Sequence, residues 1–341
     1  MRIGILTGGG DCQGINAVIR AAVKKAEDYG WDVIGIRYGW LGLLDGLFVP
    51  LKYEELDDII GIGGTILGTS RVNPLRRKDG VKKIKENLKK MKIDAILAIG
   101  GDDTLSVAYE LSKEGIPVVG APKTIDNDLA ATEYTFGFFT AVEIGTQAID
   151  RILTTAKSHE RVFVVEVMGR YAGWIALYSG LAGGAHYIVI PEQPLDLDAI
   201  CKLIDERWKR GKRYAVIVVA EGVQIGEHEL LYVKEVVDEF GNIKVGGIAH
   251  ILADEIHRRT GKETRAVVLG HLMRGGSPIA FDRILATRFG LMAIELIKKG
   301  EFGKMPALTK FKIEPVPLSK AVAEMKTVPK ELYDIARIFF Y

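Results

Sequence analysis

The densest chemistry in the chain lies in Pro122-Lys123-Thr124-Ile125-Asp126-Asn127-Asp128, which places two carboxylates, an amide, a hydroxyl and an ammonium in seven residues directly after the apolar run Ile116 to Val119. Carboxylates flanking Asn127 repel each other and resist burial unless something uses their charge. A metal ion, a guanidinium or a substrate hydroxyl would each do so. About twenty residues upstream, Gly100-Gly101-Asp102-Asp103-Thr104 ends another apolar run, Ala95 to Ile99. Two strand candidates therefore finish in acidic loops, and ligands of open parallel sheets bind at such carboxyl ends.

Glycine-rich loops add a candidate anion cradle. The first apolar run, Ile3 to Leu6, enters Thr7-Gly8-Gly9-Gly10-Asp11-Cys12-Gln13-Gly14 and then a helical pattern. Backbone N–H groups and a helix N-terminus favour a phosphate there, although a tight structural turn would use the same glycines. Gln13 breaks the strict G-x-G-x-x-G pattern, and no G-x-x-x-x-G-K-[ST] loop occurs. A second loop, from Gly61 to Arg71, holds four glycines, and Arg71 makes it an anion-site candidate. Further along come Arg161, Met168-Gly169-Arg170, Glu221, Arg265 and His271-Leu272-Met273-Arg274, all near strand termini. Guanidinium forks match phosphate oxygens, so this set reads as a sugar-phosphate pocket.

These residues need a scaffold that brings many strand ends together. Short apolar runs alternate with amphipathic stretches from end to end. Strands are predicted at 3–6, 33–36, 95–99, 118–120, 162–167, 187–190, 215–219 and 266–269, with helices over 16–28, 81–91, 105–113, 141–155, 197–210, 246–259 and 283–299. That pattern predicts an α/β fold of two Rossmann-like, doubly wound lobes with a cleft between them.

The 341 residues, 48% of them hydrophobic, suffice for two such domains. Lys and Arg total 46 against 44 acids, a balance that gives no support to nucleic-acid binding. Two cysteines argue against a disulfide framework and against a structural zinc site. No apolar stretch is long enough for a membrane span or a signal segment, so a cytoplasmic protein is expected.

Taken in order, Thr7-Gly8-Gly9-Gly10-Asp11, Gly63-Gly64-Thr65, Gly100-Gly101-Asp102, Pro122-x-Thr124-Ile125-Asp126-Asn127-Asp128, Met168-Gly169-Arg170 and Gly270-His271-Leu272-x-Arg274-Gly275-Gly276 resemble the 6-phosphofructokinase family from residue 1 to about 300. The resemblance implies a larger phosphoryl-donor domain at 1–137 with 251–303, and a smaller sugar-phosphate domain at 138–250 with the tail 304–341. It implies phosphoryl transfer to the 1-hydroxyl of fructose 6-phosphate, a step of glycolysis and gluconeogenesis. By motif, Asp126 would be the general base, with Thr124 and Asp128 supporting it. Asp102 would hold Mg²⁺, and Arg71 would bridge the two substrates. Gly10, Gly101, Asp103 and Lys123 would line the donor side. Met168, Gly169, Arg170, Glu221, His271 and Arg274 would hold the sugar phosphate together with Thr124 and Asp126. Arg161 and Arg265 would come from a neighbouring subunit of a dimer or tetramer with shared active sites.

Two positions depart from the pattern of the ATP-using members, which usually carry glycine where this chain has Asp103 and Lys123. Both resemble the pyrophosphate-dependent branch. Asp103 would fill the nucleotide path and oppose its phosphate, whereas Lys123 supplies a point charge for a compact anion. An ATP-dependent enzyme remains the alternative. A nicotinamide nucleotide kinase would share Gly-Gly-Asp but lack the Arg170, His271 and Arg274 set, and a two-lobed sugar-binding protein would have no need of Asp126 beside Asp102. Arg20, Lys24, Lys212 and Arg213 match a basic effector pocket of bacterial ATP enzymes. His186 and Tyr53 replace an acidic ligand and an arginine there, which predicts weak control by nucleotide diphosphates or phosphoenolpyruvate.

Overall fold

The computed structural model describes residues 1–224 and 247–340. In chain order its strands are β1 (Arg2–Thr7), β2 (Asp32–Ile36), β3 (Phe48–Leu51), β4 (Ala95–Gly100), β5 (Val118–Thr124), β6 (Phe136–Gly137), β7 (Val162–Val167), β8 (Tyr187–Val189), β9 (Ala215–Ala220), β10 (Thr264–Val268), β11 (Lys304–Thr309) and β12 (Lys312–Pro317). The helices are α1 (Ile15–Asp28), α2 (Trp40–Asp45), α3 (Gly80–Met91), α4 (Asp102–Lys113), α5 (Phe138–His159), α6 (Trp174–Ala182), α7 (Leu197–Lys209), α8 (Ile248–Thr260), α9 (Ala280–Lys298), α10 (Leu318–Ala321) and α11 (Lys330–Arg337). The predicted start of α8 at Gly246 lies outside the described residues.

Among the described residues the strands form two sheets. The larger runs β12-β11-β5-β4-β1-β2-β3, with β6 pairing to β5; the smaller runs β10-β7-β9-β8. β1, β4 and β9 are apolar and almost wholly buried along their length, as strands covered by helices on both faces must be. All pairs are parallel except β2–β3 and β11–β12. The order of the larger sheet reverses between β1 and β4, so a crevice opens there above the carboxyl ends of both strands.

The expected domain boundaries need correction on two counts. β10 falls inside the segment expected in the larger domain, yet it extends the smaller sheet, in register with β7 from Thr264↔Val162 to Val268↔Glu166. The chain rejoins the larger lobe at α9, which lies so close along α1 that a side chain at Gly290 would come within 2.6 Å of the Val18 carbonyl. The tail was expected on the smaller domain; instead, β11 and β12 form a hairpin on the edge of the larger sheet, with β11 beside β5. Beyond α10 the chain crosses over. Tyr333 of α11 donates to the Ile188 carbonyl of the smaller sheet at 2.9 Å, and Phe340 stacks on Tyr187.

β3, β6, β11 and β12 carry no recognisable pattern in the sequence. β3, β11 and β12 contain prolines, which cannot donate to a ladder and suit edges and strand ends. The β11–β12 turn is made by Lys310 and Phe311, both at positive φ (48° and 66°), where Asn-Gly is the usual signal.

Candidate active site

Most segments singled out as chemically active follow a strand, and both sheets point those carboxyl ends at one cleft of about 270 Å³, near the lower end of the range for small-molecule sites. From the larger sheet, the glycine loop after β1 is hydrogen-bonded along its length to the second glycine loop. Thr7 Oγ1 donates to Gly68 O (2.8 Å), Gly9 N to Ser70 O (3.1 Å) and Thr69 Oγ1 to Gly9 O (2.5 Å). Asn16, in the first turn of α1, donates to Ile62 O and accepts from Ile66 N, holding the second loop in place. This zipper brings Arg71 to the cleft.

Gln13, which breaks the dinucleotide fingerprint, has a different task. Its side-chain amide donates to the carbonyls of Met273 (3.0 Å) and Gly275 (2.6 Å), tying the glycine loop to the His271–Gly276 segment. Arg274 follows the same path and donates to Asp11 O at 3.1 Å. It lies so close to Gly10 that an added Cβ there would sit 2.8 Å from its Nη1. A side chain at Gly10 would therefore have to push the Arg274 guanidinium aside.

After β4, Asp102 and Asp103 occupy the first turn of α4, where carboxylates also complement the helix dipole. Both line the cleft. Burial and the Asp103 charge hold the Asp102 carboxyl above its usual range. Lys123, at the end of β5, is almost wholly buried and donates to the Gly10 carbonyl, and burial lowers its pKa.

The Asp126–Asp128 loop is held from inside. Thr124 Oγ1 accepts from Asp126 N (3.0 Å), and Thr135 Oγ1 donates to Thr124 O (2.7 Å). Asn127, fully buried at φ +51°, accepts from Thr135 N and from Lys326 Nζ. With the amide pinned inward, the flanking carboxylates both line the cleft. Asp126 and Asp128 each keep one buried oxygen without a hydrogen-bond partner. Burial, then the charge of Asp126, pushes Asp128 up to about 7.

The smaller sheet supplies the opposite wall. Gly169, at φ +139°, turns the chain after β7, and its carbonyl accepts from Gly222 N (3.1 Å). Met168, Arg170 and Tyr171 follow that strand into the cleft, Glu221 ends β9, and His271 with Arg274 comes from the turn after β10. Burial and the Asp126 charge also push Glu221 up to about 7. Of the expected site residues, Gly10, Arg71, Gly101, Asp102, Asp103, Lys123, Thr124, Asp126, Asp128, Met168, Arg170, Glu221, His271 and Arg274 line one space. Gly169 lies behind it as the residue that lets the loop turn. Arg161 and Arg265 stand at the opposite ends of β7 and β10, about 20 Å away at ~3.3 Å per strand residue. There both pair with Glu263 (2.8 and 2.6 Å). Gly9 and Thr104, from loops already singled out, also line the cleft, as do Tyr171 and Met325, which were not expected; Met325 lies in a tail that carries no motif.

The acidic wall gathers Asp102, Asp103, Asp126 and Asp128, none of them fully buried, and its excess of negative charge with two orphaned carboxylate oxygens suits a cation. Among the described residues no cluster of three His, Cys, Asp or Glu side chains forms a cage.

The same excess yields a stability prediction. Asp128 is raised in the folded state, so the stability linked to it is complete below its unfolded pKa near 4 and is lost as pH rises through about 7. Asp128→Asn should raise the melting temperature of ligand-free protein at pH 8 by about 2–8 °C, corresponding to ~1–3 kcal/mol. The gain should shrink towards pH 4. Melting curves at pH 4, 6 and 8 check this; a gain that does not vary with pH would refute the burial of charge at Asp128.

The arrangement sets glycine loops, carboxylates and arginines around one space, a setting suited to anionic ligands. Residues 2–297 match the phosphofructokinase family. The chain is 56% identical over 343 residues to the pyrophosphate–fructose 6-phosphate 1-phosphotransferase of Amycolatopsis methanolica, with the whole of both chains covered. It is 51% identical over 341 residues, again covering both chains completely, to ATP-dependent 6-phosphofructokinase 2 of Streptomyces coelicolor. The crystal structure of a pyrophosphate-dependent phosphofructokinase from Nitrosospira multiformis shares the fold, with a TM-score of 0.86 and 23% identity over 99% of this chain and 90% of that one. The chain belongs to the phosphofructokinase family.

Proposed function

We propose that the protein transfers a phosphoryl group from pyrophosphate to the 1-hydroxyl of fructose 6-phosphate, reversibly, giving fructose 1,6-bisphosphate and orthophosphate. The 1-oxygen forms the new bond to phosphorus, the bond to the bridging oxygen of pyrophosphate breaks, and the hydroxyl proton passes to Asp126. Thr124 and Asp128 orient that base. Arg71 lies against the charge that moves between donor and acceptor, while Arg170, His271 and Arg274, with Met168 and Glu221, grip the sugar phosphate. Positioning and fixed charge supply most of what phosphoryl transfer requires. Asp102 would hold Mg²⁺, which when bound neutralises charge on the pyrophosphate oxygens.

The observation that carries the choice of donor is Asp103, whose carboxylate lines the cleft beside Asp102 and Lys123. The identity of 51% to an ATP-dependent relative keeps ATP as the second reading. Parallel steady-state assays with saturating pyrophosphate and ATP separate the two. Pyrophosphate should give the faster turnover, and the reverse reaction from orthophosphate and fructose 1,6-bisphosphate should run within about tenfold of it, a scale of ~1.4 kcal/mol in barrier. Faster turnover with ATP would overturn the donor assignment and leave the sugar-phosphate assignment standing.

The working enzyme is a homo-oligomer in the cytoplasm. Among the described residues no helix is long and apolar enough to cross a membrane. Arg161 and Arg265, distant from the cleft of their own chain, reach the sugar phosphate of a neighbouring subunit. Arg161→Ala and Asp126→Asn should each be nearly inactive, yet mixed and reassembled they should recover part of the activity, because some hybrid sites contain neither lesion. No recovery, with hybrids confirmed by mass, would put both residues in one chain's site. Control by nucleotide diphosphates or phosphoenolpyruvate is weak. Tyr53 Oη accepts from Arg20, Lys24 pairs with Asp28, and His186 Nδ1 accepts from Val216 N. Burial and the Arg207 charge hold His186 down at about 4, so it stays neutral.

A further inference from the structure

We propose that Lys326 is a positioning residue for phosphoryl transfer, and that the tail segment 325–328 is a strap fixing the Asp126–Asp128 loop against the smaller domain. The ammonium group of Lys326 spends all three protons on this one loop region. Nζ donates to Asn127 Oδ1 (2.9 Å), Thr132 O (3.0 Å) and Glu133 O (2.8 Å). Its backbone N donates to Asp128 O at 2.8 Å, and Met325 forms a β-bridge with Leu129. Asn127 is the hinge between the two carboxylates. Its Oδ1 takes one proton from Lys326 and one from Thr135 N, which sets the amide's orientation. A residue more than a hundred and ninety positions downstream thus determines how the loop presents Asp126 and Asp128.

The other side of the strap belongs to the smaller domain. The Lys326 carbonyl accepts from Trp174 Nε1 at 2.9 Å, and the ammonium lies 5.3 Å from the Trp174 ring centroid. Val328 N donates to Glu192, whose carboxylate also accepts from Gly173 N at the start of α6. Gly173 closes the loop that carries Arg170 and Tyr171 into the cleft. One short stretch therefore fixes the base-bearing loop and the sugar-phosphate loop relative to each other. Misplacement of reacting groups by about 1 Å costs on the order of 10²-fold in rate.

This inference rests on the reading of Asp126 as the base, so Asp126→Asn is run beside it. Lys326→Met keeps the length of the side chain and removes the three donors. It should lower kcat about 10- to 100-fold while the KM values for fructose 6-phosphate and pyrophosphate stay within about threefold, because the loop is misaligned but the binding groups remain. Tyr333→Phe is the structural control. It cuts the tail's bond to Ile188 O, and should lower the melting temperature by a few degrees with kcat within about twofold. If Lys326→Met gives no folded protein, Lys326→Gln is judged by the same split. A kcat within threefold of wild type, or a rise in KM alone, overturns the strap as a positioning device. A normal turnover in Asp126→Asn instead overturns the assignment of the base.

Discussion

Asp126→Asn should leave a folded protein that binds both substrates and turns over about 10²- to 10⁴-fold more slowly, the usual loss when a general base is removed. The change is nearly isosteric, and the backbone N of residue 126 would keep its bond to Thr124 Oγ1. Asn127 keeps its bonds to Thr135 N and Lys326 in the variant, so the course of the loop should survive. The same substitution removes one of the charges that push Asp128 and Glu221 upward, so both should fall back towards ordinary carboxylate values. Single-turnover kinetics with fructose 6-phosphate binding measured separately checks this, and near-normal turnover would exclude Asp126 as base.

Asp103→Gly should raise kcat/KM for ATP by at least about fivefold. A carboxylate roughly 4 Å from a nucleotide phosphate costs on the order of 1 to 4 kcal/mol between bulk-water and near-surface dielectric, and its removal returns that amount. Lys123→Gly should act from the other side. Lys123 Nζ bonds to the Gly10 carbonyl and would lie 3.7 Å from a Cβ added at Gly9, so the ammonium rests on the glycine loop itself. Its loss should weaken pyrophosphate use about 10- to 100-fold, the scale of a buried charge-assisted contact of ~1.5–3 kcal/mol. The double variant should shift the donor preference further than either change alone. Unchanged ATP kinetics in Asp103→Gly would mean that the carboxylate does not obstruct the nucleotide path.

What could be read in the sequence, and what could not, divides along physical lines. Strands such as β1, β4 and β9 are continuous apolar runs, and their ends carry the charged loops, so most of the cleft was visible from local pattern. Lys123 stands at the end of β5, and the Asp126–Asp128 loop follows that strand directly. The tail was illegible for the opposite reason. Its hairpin turns on Lys310 and Phe311 without a glycine, its strands contain prolines, and Lys326 stands in Met325-Lys326-Thr327 with nothing to mark it. Only the three-dimensional path shows that its ammonium is hydrogen-bonded to a loop made in the first half of the chain. The task of Gln13 was hidden likewise, since its partners lie beyond residue 270. The domain limits failed because strand order, not sequence order, decides which sheet β10 and β11 join.

That ordering sets a timetable for the nascent chain. β5 emerges from the ribosome with one edge bare, and the strand that covers it, β11, follows only after everything between Thr124 and Lys304 has been synthesised. At ~5–20 residues per second the wait is roughly ten to forty seconds. β7 likewise waits for β10, and the strap cannot form until residue 328 has been made. Exposed strand edges in a growing chain invite pairing with other chains. Translation stalled near residue 300 would release a product with every cleft residue but Met325 present and the β5 edge open, a species better suited to aggregation than to catalysis.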